Sequence, residues 1–191
     1  VLRNHIPAGV NLVPLKAVSS VSGTLAAVLA DPAGYRDILR VITNRRKLPK
    51  AFRYIPAISR HLKQCGISLL VSALPKSNIN AVLARRLSGA DTRVVVGAHI
   101  HLSAQDSEGV SRGNSRLRAL RPLMQRYYHQ ADAVVAVSKG VARDTMTYLD
   151  LPQEQVKTIY NPVATREIVG LSEEQPEHTW LEQRDVPVIL G

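Results

Sequence analysis

Five short runs of β-branched and aliphatic residues constrain this chain more than anything else in it: Val10–Leu15, Ile67–Leu74, Arg93–Ile100, Ala133–Ser138 and Val156–Tyr160. Most are apolar throughout rather than alternating, the pattern of strands buried on both faces in a parallel sheet. Helical patterns lie between them. Tyr35, Ile38, Leu39 and Ile42 recur at helical spacing, as do Ile58, Leu62 and Cys65 behind Pro56. Ser77–Leu87 follows, with Ser77 or Asn78 able to cap it, then Arg116–Gln130, then Lys139–Leu149 behind Ser138. Strands that alternate with helices imply right-handed crossovers. The expected fold is α/β, a Rossmann-like doubly wound parallel sheet.

The 191 residues, 45% hydrophobic, are enough for one domain with a core, and only 4% are aromatic, so that core is aliphatic. A lone cysteine, Cys65, can neither form an internal disulfide nor supply a thiolate metal site. No apolar run approaches the roughly 18 to 20 residues needed to span a bilayer as a helix. The chain begins at Val1 and ends in the apolar run Pro187–Gly191, and it reads as a piece of a longer protein. Residues 164–187 are acidic, with Arg166 and Arg184 as their only cations, and read as a linker.

In open parallel sheets ligands collect at the carboxyl ends of the strands. That rule selects Leu74–Asn78, Ala98–His101, Ser138–Gly140 and Tyr160–Pro162. His99 stands where an imidazole can bond a substrate hydroxyl or a departing phosphate without being buried, and His101 lies two residues on. Ser138, Lys139 and Gly140 form a strand-to-helix turn whose free N–H groups and positive end suit a phosphate or hydroxyl. Ser138 is also the natural N-cap there. Asn78 either caps its helix or enters the cleft, and Asn161-Pro162 reads as a turn that fixes the chain's exit. The stretch Ser107–Ser115, rich in Gly and Ser, is expected to be a mobile loop able to close over a ligand.

The segment ADAVVAVSKGVA, residues 131–142, resembles a block of the family 4 glycosyltransferases. Further segments agree in order: IYNPV at 159–163, HTWL at 178–181 with VPVILG at 186–191, and upstream LPKSN at 74–78 and VVVGAH at 94–99. The resemblance covers nearly all of residues 10–191. It implies the N-terminal, acceptor-side lobe of a retaining enzyme with the two-domain GT-B architecture, truncated at both ends. Residues 1–163 would be that lobe, lacking its first strand and glycine-rich loop. Residues 164–187 would be the interdomain linker, and 188–191 the start of the donor-binding domain, so the fragment alone is expected to be inactive. By the same resemblance His99 is the catalytic-site histidine, although Ala98, Ile100 and His101 depart from the family's residues around it. Asn78, His101, Ser138 and Lys139 would line the substrate cleft, with Asn161 at the exit.

The implied reaction moves a sugar from a nucleotide sugar to a carbohydrate or lipid-linked acceptor. It needs no metal or other cofactor, because helix ends and basic side chains stabilise the leaving diphosphate. Lys and Arg outnumber Asp and Glu by 25 to 15. Nine of the basic residues fall between Arg36 and Lys63 against Asp37 alone, and Arg112, Arg116, Arg118, Arg121 and Arg126 form a second group. Basic helices with apolar neighbours suit an anionic membrane surface, so the expected location is cytoplasmic, peripheral on the inner membrane face. A nucleic-acid-binding module and a non-catalytic Rossmann-type interaction domain are the alternatives. The first lacks a helix-turn-helix, zinc or aromatic RNA-binding signature.

Overall fold

In the computed structural model the described residues are 6–7, 9–45, 50–113, 116–162, 166–174 and 187. They fall into two compact units, residues 1–159 and 160–191. Within the first, three helices come before any strand: α1 (Ser20–Ala30), α2 (Tyr35–Arg45) and α3 (Ile55–Cys65). The alternating part follows as β1 (Leu69–Ala73), α4 (Pro75–Ser88), β2 (Arg93–Ala98), α5 (Leu102–Ser111), α6 (Arg116–Tyr128), β3 (Ala133–Ala136), α7 (Lys139–Leu149) and β4 (Val156–Thr158). The second unit carries α8 (Arg166–Ser172), inside the stretch expected to be a linker.

All three strand pairings are parallel and the order is β1-β2-β3-β4, the order of one wing of a doubly wound sheet. Right-handed crossovers between strands laid down in one direction put every connecting helix on the same face. Burial follows that rule. Val94, Val96, Ala98, Val134 and Ala136 lie in the core, whereas Leu69 and Val71, pointing the other way, are exposed. The centre of the helical layer is α4, where every residue from Asn78 to Ala84 is buried. It packs against α1, α3, α6, β1 and β2. A helix enclosed on all sides is built from small and aliphatic residues, here Ile79, Ala81, Val82, Leu83 and Ala84.

One polar tie and one close backbone approach fix the rest of the layer. Asp31, just after α1 and 1% exposed, accepts bonds from Arg126 Nε at 2.5 Å, Arg126 Nη2 at 3.1 Å and Arg86 Nη2 at 3.3 Å. The Arg126 hydrogen bond, with further attraction from Arg126 and Arg86, holds this carboxyl below its ordinary range against the opposing effect of burial. At Gly23 a Cβ would lie 2.7 Å from the backbone carbon and oxygen of Phe52, so only glycine lets α1 sit this close to the 3-10 turn Lys50–Tyr54.

Four of the five expected strands form, all shortened at the carboxyl end and β1 at both ends. Val10–Leu15 does not: it is irregular, and Val10, Leu12, Val13 and Leu15 are all exposed. Pro14 interrupts that run and removes a ladder donor. The expected loop at 107–115 is largely helix, since α5 runs to Ser111, while residues 114 and 115 lie outside the described residues. The closing run 188–191 and the segment 178–181 also lie outside them.

Candidate functional site

The turn from β3 into α7 is built as its sequence suggests. Ser138 is extended and its Oγ accepts from Val141 N at 3.1 Å, so the hydroxyl serves as N-cap. Lys139 and Gly140 follow, exposed, at the first turn of α7. The end of β2 lies beside them, because Ala98 pairs with Ala136 and Val137 N donates to Ala98 O at 3.2 Å.

Both histidines fold back onto glycines at this edge. A Cβ at Gly97 would meet His99 Nε2 at 2.7 Å, so the His99 ring lies over Gly97. A Cβ at Gly140 would lie 3.3 Å from His101 Nε2 and 3.8 Å from Ser138 Oγ, which puts the His101 ring over the start of α7. His99, His101, Ser138 and Lys139 therefore share the carboxyl edge of two neighbouring strands. The two imidazoles and the ammonium are exposed, where they can bond an incoming hydroxyl or phosphate.

Asn78 takes a different place. The helix begins at Pro75, so neither Ser77 nor Asn78 is its cap, and the capping position is Leu74 with no side-chain bond. The Asn78 side chain is 0% exposed. Its Oδ1 accepts from Ser72 Oγ at 2.8 Å, and its Nδ2 donates to Gly97 O at 2.9 Å and to Tyr128 OH at 2.7 Å. Both amide hydrogens are thereby used. Asn78 locks β1, β2 and α6 together beneath the strand that carries His99, and it supports the cleft from below rather than lining it. Burial pushes the Tyr128 phenol up to about 12, so it stays protonated in this network.

Two segments singled out in the sequence, Leu74–Asn78 and Ser107–Ser115, meet at a cavity. A space of about 510 Å³ opens between the start of α4, α5 and α6, lined by Leu74, Lys76, Ser77, Gln105, Glu108 and Arg112 among others, with Leu117 and Leu120 on the α6 side. Leu74, at its rim, has φ 75° and ψ 139°, a conformation that an L-residue holds only under strain. On the α5 wall Arg112 and Glu108 pair at 2.6 Å. The α5 helix itself is pinned from α7: Asp144 accepts from Leu102 N at 2.5 Å, from Ser103 N at 3.3 Å and from the Ser103 hydroxyl. Asp144 thus caps a helix that its own N-cap residue, His101, leaves without a side-chain bond. Its partners lie 41 and 42 residues away in sequence, too far for any local motif to announce.

The basic groups divide. Arg118 pairs with buried Asp106 at 3.2 Å, Arg126 holds Asp31, and Arg121 Nε donates to Tyr148 O at 3.1 Å. All three have partners within the chain, although Arg118 and Arg121 remain exposed. In the first group Arg36, Lys50, Arg60 and Lys63 are exposed. Among the described residues no cluster of three or more His, Cys, Asp or Glu could hold a metal, and no helix is long and apolar enough to cross a membrane.

A Rossmann-like parallel sheet with histidines and a capped helix start at its carboxyl edge agrees with the comparison of the whole sequence. The family model described as Glycosyltransferase Family 4 matches residues 16–167. The chain belongs to Glycosyltransferase Family 4. Among curated proteins none matches it. The match covers the four strands of this family 4 domain and the residues that follow β1, β2 and β3, including Leu74, His99 and Ser138. Asn161 is exposed, in the second unit of the domain.

Proposed function

We propose that this chain is the acceptor-side lobe of a retaining glycosyltransferase, one that moves a hexosyl group from a nucleotide sugar to a carbohydrate or lipid-linked acceptor. The observation that carries this reading is the convergence of His99, His101, Ser138 and Lys139 on one edge of a sheet whose neighbouring strand β1 leads through Leu74 into a cavity large enough for a sugar-sized group. His99 positions the reacting hydroxyl. The Ser138–Gly140 turn, with the positive end of α7 and the Lys139 ammonium, takes a hydroxyl or phosphate oxygen. Leu74, Leu117 and Leu120 give the cavity an apolar side, and Lys76, Gln105, Glu108 and Arg112 a polar one. An acceptor with both characters fits it, such as a sugar on a lipid carrier. Charge stabilisation by helix ends and cations needs no metal in this scheme.

The exposed cations from Arg36 to Lys63 support a peripheral site on the anionic, cytoplasmic side of a membrane.

The test uses the chain together with a donor-side domain, reading nucleoside diphosphate release over a panel of nucleotide sugars and acceptors. His99→Ala should lower turnover by about 100-fold or more with the melting temperature unchanged. Gly97→Ala should act in the same direction, since its Cβ would displace the His99 ring from 2.7 Å. Wild-type turnover in His99→Ala would sink the assignment of that residue, and no turnover with any donor would sink the enzymatic reading.

A further inference from the structure

Helix α1 is built inside out. Its buried residues are Gly23, Ala26, Ala27 and Ala30, all small, while Val21, Leu25 and Leu29 are 66%, 58% and 62% exposed. These three recur every four residues and so form one outward stripe. The helix has no charged residue. A soluble face would reverse the arrangement, and an exposed apolar stripe marks an interaction surface.

The elements packed on α1 say what it meets. They are α2, α3, α4, the 3-10 turn Pro32–Gly34 and the turn Lys50–Tyr54. Together they carry one acid, Asp37, which is half-buried; Asp31, at the end of α1, is buried between Arg126 and Arg86. Their exposed residues include Arg36, Arg40, Lys50, Arg60 and Lys63, with Tyr35, Leu39 and Tyr54 adding apolar and amphipathic surface. An uncharged apolar stripe on a helix whose neighbouring elements carry exposed cations and tyrosines matches the layered chemistry of an anionic bilayer: acyl chains below, phosphates above, aromatic rings at the boundary.

We propose that α1 is the membrane-inserting element of this chain, with Val21, Leu25 and Leu29 entering the acyl boundary of an anionic lipid surface and the neighbouring cations lying at the phosphates. The proposal rests on the reading of a basic membrane face given above and adds the element that penetrates it.

Co-sedimentation of the full chain with phosphatidylcholine vesicles, with and without phosphatidylglycerol, tests both. The wild type should bind only the anionic vesicles, and Leu25→Glu should weaken binding about tenfold or more. Leu29→Ser, which removes apolar surface without adding charge, should also weaken it, and circular dichroism should show both variants folded. If Leu25→Glu and Leu29→Ser bind like wild type while Arg36→Glu/Lys50→Glu is released, α1 does not insert and the basic face alone stands. If the wild type ignores anionic vesicles, both readings fall. If it is instead a dimer that Leu25→Glu makes monomeric, a second copy covers the stripe and the proposal is overturned.

Discussion

Replacing Asn78 by alanine should destabilise the fold by about 3–4 kcal/mol, counting roughly 1 kcal/mol for each of its three buried or half-buried hydrogen bonds and a further contribution from lost packing. The bonds at stake join residues 6, 19 and 50 positions away, so their loss loosens β1, β2 and α6 together. Urea unfolding read by far-ultraviolet circular dichroism measures the loss, and the melting temperature should fall by roughly 10 °C for a chain of this size. Asn78→Asp keeps the shape but removes both donors and should cost at least as much. Tyr128→Phe removes one bond and should cost about 1 kcal/mol, and the double variant should lose less than the sum, because the two side chains share that bond. Tyr128 stays protonated until about 12, so the losses of Asn78→Ala and Tyr128→Phe should be constant through neutral and mildly alkaline pH. If Asn78→Ala unfolds within about 0.5 kcal/mol of wild type, as a surface substitution does, the network is not structural and Asn78 returns to the cleft as a ligand contact.

Breaking the Asp31 clasp with Asp31→Asn should cost on the order of 2–4 kcal/mol at neutral pH. The folded carboxyl is held below its ordinary value of 3.8, so its contribution is complete above that value and fades as pH falls through the folded value. Urea titrations of both proteins should therefore converge in acid, and a gap that stays constant to pH 2 would refute the assignment. Asp144→Ala should cost about 1–2 kcal/mol as a lost helix cap, and amide exchange should quicken at Leu102 and Ser103 ahead of the rest of α5. Uniform exchange across α5 would show that Asp144 does not hold its start.

The sequence made the sheet legible because β2 and β3 are uninterrupted apolar runs and because Ser138 announces α7, which spans the expected residues. Pro14 was the signal against a strand at Val10–Leu15. α1 carries helical spacing in Val21, Leu25 and Leu29, but on its exposed side, since its inward face is Gly and Ala. α5 was hidden by Gly109 and three serines, which favour loops in isolation but are here held by Asp144 and by Arg118 on Asp106. The juxtaposition of His99, His101, Ser138 and Lys139 was legible because they follow the neighbouring strands β2 and β3. Asn78 was misjudged because hydrogen-bond partners distant in sequence decide whether a polar side chain faces the cleft or the core.

Leu74 has one further consequence. A glycine at that position would adopt φ 75° without strain, and the left-handed conformation costs a leucine roughly 1–3 kcal/mol. Leu74→Gly should therefore gain part of that energy while stripping an apolar side chain from the cavity rim. A more stable variant with a poorer grip on its acceptor would mark Leu74 as a point where durability has been exchanged for recognition. Thermostabilising substitutions in this domain would then be better sought away from the start of α4.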